Sequence, residues 1–199
     1  MKSRKFASHY ILKPDGTLGR FPVIEFSDKG EVLSVSYNSE NLVEQPFLEF
    51  HGGILIPGLI DFSENITLDE RTLNRHFAAG TFAICSKENI PSEKGKSPPY
   101  FYNHSKEISF ENYSCLNTEN TLPLFERIKT ELLSNNQLSL LELLHQATTK
   151  NAKKAGLSNL IGSLSQGLSP GLLVLENIDL KTFELTSKTR LRWLYLVQI

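Results

Sequence analysis

Three features are scarce in this sequence: charge of one sign, paired cysteines and long hydrophobic runs. Each absence excludes a class of protein. Lys and Arg number 21 and Asp and Glu 22, leaving a formal net charge of −1 over 199 residues. That balance argues against nucleic acid as a partner, since phosphate binding needs clustered cations. The two cysteines, Cys85 and Cys115, belong to no Cys-x-x-Cys or Cys/His cluster. They make no disulfide framework, and a cytoplasmic setting suits them. The longest uncharged apolar run, Ile54 to Ile60, is far short of the ~20 residues that span a bilayer, so no membrane association is expected. The basic start from Met1 to Phe6 is followed by no extended apolar stretch, so no signal peptide is expected. There is no internal repeat and no low-complexity tract. The glycines of Gly52-Gly53 and of Gly162, Gly167 and Gly171 lack the Lys-Ser/Thr pair or the Gly-x-Gly-x-x-Gly spacing that would cradle a phosphate. They read as turn and crossing positions.

What is present is an ordinary globular composition, with 40% hydrophobic and 22% charged residues. Residues 5–50 carry short apolar runs separated by Pro14-Asp15-Gly16 and Asp28-Lys29-Gly30. Pro fixes φ and Gly supplies positive φ in such turns, and the pattern predicts an antiparallel sheet. The texture then changes. An apolar segment ending at Ile60, a helix over about Glu70–Ala79 capped by Thr67 or Asp69, and a second apolar segment Thr81–Cys85 read as one β-α-β unit over 54–85. Tyr100-Phe101-Tyr102 is a possible strand. From Leu122 the helical period returns, with Leu124, Phe125, Ile128, Leu132 and Leu133 on one face. A further helix starts at Ser139 and stops at Gly156. Leu172–Leu175, Thr182–Leu185 and Leu191–Val197 read as strands. Strands at both termini are expected to meet in one sheet or sandwich.

Three segments, in order, resemble the amidohydrolase superfamily of metal-dependent hydrolases. Gly53-Ile54-Leu55-Ile56-Pro57-Gly58-Leu59-Ile60-Asp61 is similar to the stretch where that family leaves a small β-sandwich and enters barrel strand 1. Leu138–Leu157, with Ala147-Thr148, Asn151-Ala152 and Gly156-Leu157, resembles the family's last barrel helix. Ile161-Gly162-Ser163 through Leu175 looks like the return to the sandwich. The last segment, continued by Glu176 to Leu180, is loosely similar to the deaminase-like branch.

The resemblance implies an α+β fold: a β-sandwich from the N- and C-terminal strands, plus a βα layer left from a truncated TIM-type barrel. It places the composite sandwich at 1–53 and 158–199 and the barrel-derived part at 54–157. About 100 residues remain for that part, against roughly 250 for a complete (β/α)8 barrel.

The family's chemistry is attack of metal-activated water on a carbon–nitrogen bond, with imidazoles and carboxylates converging on the metal. In the family an Asp is followed by His-x-His. Here Asp61 is followed by Ser63 and Asn65 at the histidine positions, and neither is a useful ligand for a transition metal. Glu119 occupies the position of the family's late catalytic Asp. Asp61, Glu64 and Glu119 are the weak candidates for acid–base work; a structural hydrogen bond is the plainer role for Asp61. His51, His76, His104 and His145 stand alone in the sequence and read as ordinary surface or boundary residues. Cys85 and Cys115 have no partner tied to them by motif. Lys150, Lys153 and Lys154 complement a helix C-terminus.

Two expectations follow. The first is a degenerate, inactive amidohydrolase-like protein with no cofactor, acting in binding or assembly. A homodimer or another protein would cover the apolar strand 54–60 and the helix 139–154. The second is an active metal-dependent hydrolase of non-peptide carbon–nitrogen bonds, of cyclic amidase or deaminase type, using a divalent metal such as zinc.

Overall fold

The computed structural model describes residues 3–38, 45–62, 69–86, 100–103, 122–135 and 137–196. Ser63, Glu64, Asn65, Glu119, His104 and Cys115 lie outside the described residues. Among those described, the protein is a sheet-rich mixed α/β fold with few helices.

The N-terminal half builds β1 (Arg4–Leu12), β2 (Leu18–Arg20), β3 (Pro22–Phe26), β4 (Val32–Tyr37) and β5 (Leu48–Pro57). The C-terminal end supplies β9 (Leu172–Glu176) and β10 (Arg190–Tyr195). All seven join one sheet of order β10-β9-β5-β1-β3-β4, with β2 paired to β1. The expected meeting of the two termini occurs at β5 and β9, paired from Ile54↔Leu175 to Pro57↔Leu172. The hairpin pairs are antiparallel as the turns predict, but β1 and β5 run parallel. The last apolar residues of 5–50 and the apolar segment that follows are one strand, β5, and β6 (Leu59–Phe62) begins only after Gly58. The predicted strand at 182–185 is instead a loop. The Asp179 carboxylate accepts the Lys181 and Thr182 amides and turns the chain there.

Alternation along the strands buries both faces of the sheet. Ile54, Ile56, Leu173 and Leu175 face helices α2 (Leu124–Ser134) and α3 (Leu140–His145). Leu55, Leu172 and Val174 share the other face with Phe6, Ile24 and Phe26. The sheet coils until its ends approach. Tyr195 packs on Phe26 at 5.3 Å between ring centroids, and its hydroxyl donates to the Ser27 carbonyl at 2.8 Å.

A second sheet holds β6, β7 (Thr81–Ser86) and β8 (Tyr100–Asn103), all parallel. β6, α1 (Glu70–Ala78) and β7 form the expected β-α-β unit, begun at Leu59 rather than 54. Asp69 caps α1 by accepting the Thr72 amide at 3.0 Å. Trp193 of β10 ties the first sheet to this unit: it stacks on Phe77 of α1 at 5.1 Å, donates its indole N–H to the Phe77 carbonyl, and lies 6.1 Å from the Phe82 ring of β7.

The helix expected from Ser139 to Gly156 is continuous but not uniform. α3 passes through a π-helical turn, Gln146–Lys150, into α4 (Asn151–Ala155), and Gly156 ends it at φ 73°. Leu140, Leu143, Leu144 and Ala147 are buried, as are Ile54 to Ile56, Leu59 and Ile60. This helix and α2 pack directly on Ile54, Ile56 and Leu59.

Candidate functional site

Asp61 is the sequence-predicted site residue that the structure describes. It sits near the end of β6, hydrogen-bonded in register with Ile84 of β7. Residues 59–62 are buried throughout, so β6 carries its one carboxylate into the interior. Asp61 is 1% exposed.

Two cations or potential cations meet it there. Arg127 from α2 donates from Nη2 to Oδ1 of Asp61, and both side chains are buried. His76 from α1 places Nδ1 3.6 Å from Oδ2, an ion-pair distance rather than a hydrogen bond. Burial alone would raise the Asp61 pKa. The Arg127 charge and the contact with His76 outweigh it, and the carboxyl is held below its ordinary range. Asp61 is therefore ionised and paired at neutral pH.

Sequence reasoning missed both partners. His76 reads as a boundary residue, yet it is fully buried, because its face of α1 packs toward the end of β6. Arg127 lies within the apolar stripe of α2, beside Leu124 and Ile128. A lone arginine in such a stripe is a legible signal for a buried counter-charge, but the sequence does not say which carboxylate it meets. Leu133, placed on that stripe from sequence, is 85% exposed, because helical periodicity turns it away from Leu124 and it is Leu132 of the same turn that packs on the core.

The π turn supports the site from the other side. The extra residue in that turn brings the buried Asn151 against β6, where its Nδ2 donates to the Ile60 carbonyl at 2.8 Å. Gln146 donates to Asn151 Oδ1 at 3.2 Å. A side-chain amide thus satisfies the β6 carbonyl adjacent to Asp61.

Cys85 lies opposite Phe62 across the β6–β7 ladder. Burial and the nearby Asp61 charge push its thiol up to about 12, so it is not an activated nucleophile. His51 lies in β5, where Arg192 approaches its Nδ1 at 3.2 Å. His145 Nε2 meets the Pro14 carbonyl at 3.0 Å.

The divalent metal implied by the family resemblance does not fit these residues. Oδ1 of Asp61 is taken by a guanidinium and Oδ2 faces an imidazole, so a divalent cation would meet Arg127 at bonding distance. Among the described residues no group of three or more His, Cys, Asp or Glu gathers. Among those residues, too, no helix is long and apolar enough to cross a membrane.

No protein-family model matches the chain, and no curated protein matches it. Solved structures do. A putative prolidase from Bifidobacterium longum superposes with a TM-score of 0.58 at 13% identity, over 94% of this chain and 93% of that one. A Xaa-Pro dipeptidase with methionine bound in its active site gives a TM-score of 0.64 at 6% identity, over 90% of this chain and 95% of the other. E. coli guanine deaminase aligns over 88% of this chain and 89% of its own, at 10% identity and a TM-score of 0.49. Identities this low carry the fold alone. The chain shares its fold with the putative prolidase and the Xaa-Pro dipeptidase.

Proposed function

We propose that this protein is a degenerate amidohydrolase-fold protein that works by binding or assembly rather than by hydrolysis. One observation carries the reading. The carboxylate at the end of β6, which the family resemblance assigns to metal chemistry, is here buried and bound to Arg127. A fold does not carry a function once the site has been converted. In this reading the seven-stranded sheet stands for the family's composite sandwich, and β6-β7-β8 with the helices around it stands for what remains of the barrel. Ser63 and Asn65 at the histidine positions support it. A homodimer or protein partner remains part of the proposal; on the helix of 139–154 it would meet the exposed side carrying Glu142, Lys153 and Lys154, since Leu140, Leu143, Leu144 and Ala147 are buried.

The test is metal loading and turnover of the full chain. Protein purified free of metal is incubated with zinc, iron or manganese, desalted and analysed by native mass spectrometry. It is then assayed on cyclic amides, ureas, aminated heterocycles and Xaa-Pro dipeptides. The proposal expects neither stoichiometric metal nor turnover. Stoichiometric metal with metal-dependent hydrolysis would replace it with the hydrolase reading.

A further inference from the structure

The seven-stranded sheet has two terminal strands, and they are protected differently. β10 carries Arg190 and Arg192 at alternate positions, both bound to Glu176 of β9. Charged side chains on a terminal strand discourage further pairing. β4, at the opposite end, is Val32-Leu33-Ser34-Val35-Ser36-Tyr37, with no charge and no proline. Among the described residues it pairs with β3 and with no strand beyond.

One end of β4 is already covered. The Val32 amide donates to the Leu168 carbonyl and the Gly167 amide to the Val32 carbonyl. A register shift against β3 also falls at this end. The rest is open: Leu33 is 37% and Tyr37 49% exposed, and Ser34 and Ser36 are exposed. Asn38 donates to the Phe21 carbonyl of the preceding turn. The direction of main-chain groups alternates along an antiparallel ladder, so those of Tyr37 and Val35 point away from β3.

The stretch matches itself. An antiparallel two-fold centred on Val35 sets Val35 against Val35, Leu33 against Tyr37 and Ser34 against Ser36. Apolar meets apolar on one face, and hydroxyl meets hydroxyl on the other, with no like charges opposed. We propose that β4 is a homodimer interface, pairing antiparallel with β4 of a second copy to extend the sheet across the two-fold. This does not depend on whether the protein hydrolyses anything. A contact confined to one strand is smaller than a standard interface of ~1,600 Å², so the dimer is expected to dissociate in the micromolar range.

Sedimentation velocity on the full chain across that range tests the proposal. A concentration-dependent dimer is expected. The Ser34→Lys/Ser36→Lys double variant places lysine against lysine at exposed positions and should weaken it at least tenfold, with the circular dichroism spectrum unchanged. Should that variant fail to fold, Val35→Cys in a Cys115→Ser background decides. A residue on the two-fold meets its own copy at a Cα separation of ~5.5 Å, within disulfide reach, so mild oxidation should give a covalent dimer. A monomer at every concentration overturns the proposal. So does a dimer indifferent to the folded lysine variant, or, where that variant does not fold, a cysteine variant that stays uncrosslinked.

Discussion

Arg127 and Asp61, 66 residues apart in the sequence, form an ion pair with both side chains buried. The pair joins α2 to the end of β6, and His76 of α1 stands on the other oxygen. Three elements therefore converge on one carboxylate. Removing two charges from water is costly, so the arrangement is a specific link and not a simple gain in stability.

Breaking the pair from one side should be severe. Arg127→Met leaves a buried carboxylate without its main counter-charge, at a cost of about 3–5 kcal/mol. The double variant Asp61→Leu/Arg127→Met should recover most of that loss. Urea unfolding of the two variants against the parent measures both. Equal destabilisation of single and double variants would contradict the pairing.

Acid should unfold the protein partly through Asp61. Its folded pKa lies below the unfolded value, which is near 3.9. Such a group contributes stability that is present above the unfolded value and is lost as pH falls through the folded one. Asp61→Asn should flatten the stability profile below about pH 4. Thermal melts between pH 2 and 6 provide the comparison.

Asn151→Leu should cost about 1–3 kcal/mol, because it leaves the buried Ile60 carbonyl without this donor. Hydrogen exchange should then accelerate in β6 and β7 before it does in β1 and β3. Uniform acceleration across both sheets would argue against a local role.

Two glycines give a contrast in backbone physics. Gly53 has φ 129°, and an added Cβ would lie 2.1 Å from the Leu175 carbonyl oxygen, against the partner strand β9. Gly156 has φ 73° with nothing within 4 Å. Gly156→Ala should cost only the left-handed strain, about 1–2 kcal/mol. Gly53→Ala should cost more and loosen the β5–β9 pairing. Melting temperatures of the two variants rank them.

Cys85 should resist alkylation in the folded protein. Its thiol is buried and pushed up to about 12, so thiolate is scarce at neutral pH. Peptide mapping after iodoacetamide treatment, native and in urea, should show modification of this residue only in urea.

Much of the local structure was legible in the sequence because it depends on neighbours in the chain. Pro14-Asp15-Gly16 and Asp28-Lys29-Gly30 marked turns, Thr67 or Asp69 marked the start of α1, of which the structure uses Asp69, and Gly156 marked the end of α4. The apolar runs marked the buried strands, and the N- and C-terminal strands meet in one sheet as the resemblance implied. Asp61 was singled out by the resemblance of the segment Gly53–Asp61 to a family motif. The parallel pairing of β1 with β5, the partners of Asp61 and the open edge at β4 were decided by tertiary structure alone. Those features depend on which distant segments meet. A buried charge selects its counter-ion by proximity in space, and a strand becomes an edge only through the order in which the sheet assembles. Neither quantity is written in local periodicity or composition.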